Sequence, residues 1–400
     1  MPITTLPAMP GIPTQKLHDF ISAQTVGTPT IDTPYVVVDL DIVAERYDAL
    51  RAALPIADVF YAVKANPARE ILELVAERGG HFDVASPAEI EMCLAAGAAP
   101  SDISFGNTIK KQRDIAAAYA KGVRLFAFDS EDELRKLQES APDATVFCRV
   151  LCDGSGADWP LSRKFGCERE EAIRLLLRAA SSGMPIGVSF HVGSQQRNVD
   201  AWDDALEQVA EIAEALGGHG HRLSVINVGG GFPGRYQDAM PPVAAYGKAI
   251  TEALQRRLGM YADDFPRVIA EPGRYLVADA GVLQTEVVLV SKKHELEDRR
   301  WVYLDCGKFG GLAETMDEAI RYRLRTPYDA VAGAHVPSGP VTIAGPTCDS
   351  ADVLYEKSDY ALPLALKAGD RIEILSTGAY TTTYSAVSFN GFAPLKQICI

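Results

Sequence analysis

The run Phe60-Tyr61-Ala62-Val63-Lys64-Ala65-Asn66-Pro67 is apolar but for one lysine delivered at its end, just before a turn. Read as a strand, its alternation sets Phe60, Ala62 and Lys64 on one face and Val59, Tyr61 and Val63 on the other. A cation on the inward face of an apolar strand needs a reason, because a buried ammonium is costly unless paired or neutralised. One reason is chemical: such a lysine can form a Schiff base with a carbonyl cofactor such as pyridoxal phosphate. The other is a strand-end lysine that snorkels to water along its own stem. From this stretch alone, snorkelling is an adequate explanation.

The surrounding chain repeats the pattern. Short apolar runs at 57–63, 81–85, 103–105, 124–128, 145–150, 186–191, 223–228 and 267–270 alternate with amphipathic stretches, including 70–78, 87–96, 168–180 and 200–216. Eight strands alternating with helices over this length predict a (β/α)8 barrel; a doubly wound open sheet would give the same alternation, and only the count and the motif placement favour closure. After about residue 281 the texture changes to runs at 281–290, 300–305, 341–344 and 371–375, separated by Gly/Pro turns, which predicts a mostly β second domain. The reading is therefore α/β. Residues 1–40 form an N-terminal segment joining the β domain through a strand at 35–40. Residues 41–280 form the barrel and 281–400 a sandwich-like or barrel-like C-terminal β domain. The first thirty residues, rich in Pro, Thr and Gly, read as a tail or a domain-crossing segment.

A formal net charge of -14 argues against nucleic-acid or anionic-membrane surfaces, which call for basic patches, and suits a small cationic substrate. The seven cysteines are odd in number and form no CxxC pair, which favours reduced thiols in the cytoplasm over a disulfide framework or a zinc site. No basic start precedes an apolar core at the N-terminus, so no signal peptide is expected. Nowhere do about 18 apolar residues run together, so no membrane span is expected either.

Chemically capable residues cluster just after the predicted barrel strands. Lys64 ends the first, Asp83 lies near the end of the second and Arg149 near the end of the fifth. His191 ends the sixth, Gly229-Gly230-Gly231 follows the seventh, and Glu271-Pro-Gly-Arg274 follows the eighth. In a parallel barrel all of these converge on the carboxyl-terminal mouth. The glycines allow backbone amides close to an anion. Singly, each has a plain reading: a tight turn, a structural histidine, a Glu–Arg ion pair. Six groups on one rim are hard to assign to packing.

Together with later segments these residues resemble the ornithine/diaminopimelate/arginine decarboxylase family, fold-type III pyridoxal-phosphate enzymes related to alanine racemase. The resemblance spans about residues 33–397. It rests on Tyr61-Ala-Val-Lys64-Ala-Asn66, Phe82-Asp83-Val-Ala-Ser86, Lys164-Phe-Gly166, His191-Val-Gly-Ser194, Gly229–Phe232, Glu271-Pro-Gly-Arg274, Gly345–Asp349 and Gly378-Ala-Tyr380. It implies that Lys64 attaches pyridoxal 5'-phosphate, His191 stacks on its ring and Glu271 pairs with its pyridine nitrogen. Ser194, Gly230, Gly231, Arg274 and Tyr380 would hold the phosphate, with Asp83 and Arg149 completing the cofactor set. Cys348 resembles the thiol that controls protonation at the substrate α-carbon, on a loop that in this family reaches into the partner's site of a head-to-tail homodimer.

Substrate choice rests on fewer residues. A diaminopimelate enzyme typically has a glutamate after the catalytic cysteine; here Asp349 stands there, which resembles the ornithine enzymes, whose aspartate takes the distal ammonium. A second acid is expected at Asp317 or Glu318, in a segment closer to bacterial ornithine/lysine enzymes than to eukaryotic ones. Glu314 reads as a solvated helix residue. The expectation is decarboxylation of L-ornithine, with L-lysine open. Rivals are a decarboxylase of diaminopimelate or another specialised diamino acid, a racemase, and a non-catalytic regulatory homologue; the last should have lost Lys64 or Cys348.

Overall fold

The structure, a computed structural model, describes residues 14–25, 31–161, 164–260, 264–329 and 336–400. After helix α1 (Gln15–Thr25) and strand β1 (Tyr35–Val38), the chain enters a run of alternating strands and helices. Eight strands pair side by side, all parallel: β2 (Ala57–Ala62), β3 (His81–Val84), β4 (Ile103–Phe105), β5 (Leu125–Phe128), β6 (Thr145–Arg149), β8 (Ile186–Ser189), β10 (Leu223–Asn227) and β11 (Arg267–Ala270). The last returns to the first and closes the barrel. A short antiparallel ribbon, β7 (Ala157–Trp159) with β9 (Ser194–Gln196), is set into the sequence between them. Helices α2 (Leu40–Ala53), α3 (Arg69–Glu77), α4 (Pro87–Ala95), α5 (Gln112–Ala120), α6 (Glu131–Ser140), α7 (Arg169–Ser181), α8 (Ala201–Gly218) and α9 (Val243–Leu258) alternate with the strands.

Both faces of the barrel strands are covered, which is why they read as apolar runs. Phe60, Leu125, Ala127, Phe147, Val225 and Ile269, from five strands, pack into one buried cluster. The opposite face of β2 carries Tyr61, also buried, whose hydroxyl donates to the Asn66 carbonyl at 2.8 Å and pins the turn after the strand. Helix starts are locally encoded. At α4, Ser86 accepts from the Glu89 N–H at 3.3 Å, while the Glu89 carboxylate accepts from the Ala85 N–H at 2.6 Å, a reciprocal arrangement that satisfies N–H groups no helical carbonyl can reach.

The chain divides into two compact units: residues Ala44–Pro233 with Met240–Leu276, and residues Met1–Val43 with Gly234–Ala239 and Val277–Ile400. The second is built on a nine-stranded sheet. Its spine is β12 (Gly281–Ser291), joined by β13 (Arg300–Leu304), β14 (Leu324–Arg325), β15 (Ser338–Ala344), β16 (Val353–Tyr355), β17 (Ala361–Pro363), β18 (Arg371–Leu375) and β19 (Lys396–Cys399). Strand β1 pairs antiparallel with β12 and parallel with β19. The fold class thus matches the reading from sequence, a closed (β/α)8 barrel with a mostly β second part.

Two differences have physical causes. Residues 15–25 are helical: Leu17 and Ile21, four apart, bury one face against Tyr35, Val37, Val282 and Leu375, a pattern that the Pro/Thr/Gly-rich flanks obscure. The rest of the expected tail, residues 1–13 and 26–30, lies outside the described residues. Secondly, β2 stops at Ala62, and Lys64 sits in a 3-10 turn, Val63–Ala65.

Gly247, buried in α9, marks a close approach of two helices: a Cβ there would lie 2.0 Å from the Ala53 carbonyl oxygen. In an open helix Gly→Ala stabilises by about 1 kcal/mol. Here the sign inverts, and Gly247→Ala should cost about 1–3 kcal/mol, as overpacking does. The urea midpoint should fall; a rise would contradict this packing.

Candidate active site

The rim of the barrel unit gathers nine of the residues singled out from sequence. Lys64 leaves its 3-10 turn with its ammonium 3.1 Å from Asp83 Oδ2 at the end of β3. The lysine side chain is 52% exposed and the aspartate is buried. Lys64 is a half-exposed cation held by a buried carboxylate. The contrast is Lys110, after β4, whose side chain is wholly buried, 3.1 Å from Glu133, and donates to the carbonyls of Asn107 and Ala127 at 2.7 and 2.6 Å. Burial, only partly offset by Glu133, brings its pKa down to about 8. With its donors engaged by the protein, Lys110 fastens a loop, whereas Lys64 presents its amine to the mouth.

Glu271 follows β11, and its carboxylate accepts from Asn227 Nδ2 at 2.5 Å. Asn227 ends β10, is completely buried, and its side-chain Oδ1 accepts from the Gly229 N–H at 2.9 Å. The Glu271 N–H in turn donates to the Gly229 carbonyl at 2.8 Å. One asparagine therefore fixes both the carboxylate and the first glycine of the triplet. Burial, then repulsion from Asp83, raises the Glu271 pKa to about 7, against the opposing pull of Lys64, Asn227 and Arg149. A cation placed against this carboxylate would restore its charge.

His191 lies two residues beyond β8. Its Nδ1 accepts from the Gly193 N–H at 3.1 Å, so the neutral ring carries its proton on Nε2. Burial, followed by the charges of Arg149 and Lys64, holds its pKa well below the usual value. The ring is therefore a flat, uncharged surface. Gly230 makes room beside it, since a Cβ there would fall 2.6 Å from the Glu271 carbonyl oxygen and 3.0 Å from His191 Nε2.

Arg274, buried at the start of the short helix α10 (Arg274–Val277), reaches Ser194 Oγ from Nε and Nη2 at 3.3 and 3.2 Å. The carbonyl of Gly231 accepts from the Gln196 N–H at 2.9 Å, which lays β9 along the glycine loop. Gly231 has φ +109°, and a Cβ would meet the Gly193 carbonyl at 2.8 Å. A guanidinium, a hydroxyl and side-chain-free amides are thus assembled as an anion cradle. Arg149 ends β6 with its guanidinium 5.7 Å from the Phe165 ring centre.

These groups fit pyridoxal phosphate by the chemistry of their donors: an amine for its carbonyl, a carboxylate for its pyridine nitrogen, a flat ring for its face and a cradle for its phosphate. Asn227 escapes a reading of the sequence, because an asparagine between an apolar strand and a glycine run looks like part of the turn. Its spacing, two residues before the first of three glycines, is the signal that could have found it.

The remaining expected site residues belong to the other unit. Cys348 is exposed and its N–H donates to Asn390 Oδ1 at 2.9 Å. Exposed Asp349 closes the turn, its Oδ1 accepting from the Ala351 N–H at 2.9 Å. Tyr380 adopts φ +54°, with its ring 6.1 Å from that of Tyr384. Asp317 is exposed at φ +51°. Glu318 instead accepts from the N–H groups of Glu356, Lys357 and Ser358 at 2.7–2.8 Å and from the Ser358 hydroxyl. Glu314 is buried, not solvated.

Comparison with known proteins points to the same cofactor. The family described as "Pyridoxal-dependent decarboxylase, pyridoxal binding domain" matches residues 40–278. Lysine/ornithine decarboxylase of Selenomonas ruminantium is 37% identical over 90% of this chain and 88% of its own. Antizyme inhibitor 2 of Xenopus laevis is 33% identical over 90% and 79%. The structure of lysine/ornithine decarboxylase complexed with putrescine from Vibrio vulnificus superposes with a TM-score of 0.83 at 30% identity, covering 97% of this chain and 99% of that one. The chain belongs to the pyridoxal-phosphate-dependent decarboxylases of the ornithine and lysine type.

Proposed function

We propose that the protein decarboxylates L-ornithine to putrescine, with L-lysine as its nearest competing substrate, in the cytoplasm and in the service of polyamine synthesis. The observation that carries the choice is the Cys348-Asp349 pair, which supplies a compact carboxylate where diaminopimelate enzymes typically have glutamate. A single carboxylate matches a distal ammonium. The relative complexed with putrescine supports the same class of product. Of the two further acids, Asp317 is the better candidate for the substrate, because Glu318 is committed to the backbone of 356–358. No described helix is long and apolar enough to cross a membrane.

When bound, pyridoxal phosphate supplies the sink for the electron pair left as carbon dioxide departs. The protein's part is placement and proton control. Lys64 Nζ would hold the cofactor at its carbonyl, and Asp83 steadies the lysine when it stands free as an ammonium. Glu271 keeps a proton on the pyridine nitrogen, and Asn227 keeps that carboxylate oriented and charged. His191 covers one face of the ring. Ser194, Arg274 and the amides of Gly230 and Gly231 grip the phosphate, joined in this proposal by Arg149 and Tyr380. Cys348 delivers the proton to the α-carbon, and Asp349 receives the distal ammonium. The Cys348 loop is proposed to act in the site of a second copy of the chain, so that the working unit is a homodimer.

Amine release measured in parallel on ornithine, lysine, arginine, diaminobutyrate and diaminopimelate tests the substrate. Ornithine should lead, with lysine within about 10–200-fold, since one methylene is worth only about 1–3 kcal/mol. Diaminopimelate as the best substrate would refute the role of Asp349, and no turnover of any by cofactor-loaded protein would favour a regulatory homologue. Borohydride should fix the cofactor to the wild type but not to Lys64→Ala, which should also lose turnover.

Asn227→Ala removes a hydrogen bond to the charged form of Glu271. Such bonds are worth about 1.5–3 kcal/mol, so the Glu271 pKa should rise by about 1–2 units. A base needed in its ionised form then loses function at higher pH, and the acid limb of kcat should move upward; an unmoved limb would remove Asn227 from this role. Mixing inactive Lys64→Ala with inactive Cys348→Ala should restore about one quarter of wild-type activity, because half the random dimers carry one intact site of two. No recovery after subunit exchange would place both residues in one chain's site.

A further inference from the structure

Two thiols that the proposed reaction does not use face each other at the rim of β6. Cys148 is the penultimate residue of that strand and completely buried; Cys167 lies in the loop before α7 and is partly exposed. Their sulfurs are 3.6 Å apart. The pairing is held by backbone. The Cys167 N–H donates to the Arg149 carbonyl at 3.1 Å, the Leu151 N–H donates to the Cys167 carbonyl at 3.0 Å, and Val150 and Cys167 form a parallel bridge. A fourth tie runs from the Gly166 N–H to Asp129 Oδ2 at 2.8 Å. The loop is thus strapped to β6 with its cysteine turned onto the strand's own. The sulfurs need to close by only about 1.5 Å to reach a disulfide length near 2.05 Å, a movement within the reach of side-chain rotation.

We propose that Cys148 and Cys167 are an oxidisable pair, a modification site at which a peroxide-class oxidant forms a reversible disulfide. Cys167, the accessible member, is oxidised first: its sulfur takes one oxygen from hydrogen peroxide as sulfenic acid, and one water leaves. The sulfur of Cys148 then attacks that of Cys167, the S–O bond breaks, and the departing hydroxide takes the Cys148 proton as a second water. Two thiols lose two electrons in all and the peroxide gains them. The product ties residues 164–167, with Phe165 on the Arg149 guanidinium, covalently to the strand that carries Arg149. In a reducing compartment such a bond is transient, as sensing disulfides are. The proposal does not depend on the substrate or on the reaction.

The test is peptide mapping of the cofactor-loaded wild type after stoichiometric hydrogen peroxide, with free thiols alkylated before digestion. The expected product is a linked peptide pair containing Cys148 and Cys167, two hydrogens lighter than its parts and separated by dithiothreitol. The Cys167→Ser variant should lose every link involving Cys148. Recovery of Cys148 and Cys167 as alkylated thiols after exposed Cys348 has fully reacted would overturn the proposal. So would a link of either cysteine to Cys152, or a link at Cys148 that persists in Cys167→Ser.

Discussion

The pairing of β11 with β2 is the constraint on which the mouth of the barrel depends. Val268, Ile269 and Ala270 lie opposite Ala57, Asp58 and Val59, closing a ring whose ends are about 210 residues apart in sequence. Arg267 reinforces the seam, donating to Asp58 at 2.6 Å with its guanidinium 5.3 Å from the Phe60 ring centre. Just above it the Ala62 N–H donates to the Pro272 carbonyl at 3.0 Å. This bond ties the turn that presents Lys64 to the loop that presents Glu271. An open sheet with the same elements would leave these two groups on opposite edges.

Closure also creates an electrostatic problem. Glu271 is buried beside Asp83, whose charge disfavours that of Glu271. Lys64, Arg149 and Asn227 offset this only in part, so Glu271 titrates near neutrality. Such tension is costly for a folded protein on its own and useful for one that receives a cationic ring nitrogen. His191 stands apart from the contest. Buried, with Nδ1 engaged by Gly193 and two cations nearby, it stays neutral and offers shape without charge.

Much of this was legible in sequence because barrel strands are buried on both faces and announce themselves as apolar runs. Strand ends then place whatever follows them on one rim, which is why Lys64, Asp83, His191 and Glu271 could be grouped without a structure. The limits were equally physical. Alternation carried the first strand on to Lys64, two residues too far, since nothing in Val63-Lys64-Ala65 distinguishes an extended end from a 3-10 turn. Asn227 was passed over because its bond to Glu271 reaches far across the chain, while its local bond to Gly229 looks like part of the turn. Glu314 and Glu318 looked like solvated or substrate-facing acids, yet one is buried and the other caps three backbone N–H groups. Acid positions outside regular elements are settled by tertiary contacts that periodicity does not encode.

The parallel pairing of β1 with β19 has a consequence for synthesis. Tyr35 to Val38 sit in register with Lys396 to Cys399, about 360 residues further along the sequence. The residues that close the barrel emerge from the ribosome more than a hundred positions earlier. A nascent chain can therefore complete its barrel while β1 still lacks one neighbour, an unprotected edge of four apolar or aromatic residues. Strand β19, made more than a hundred residues after the barrel is complete, is the element that retires that edge.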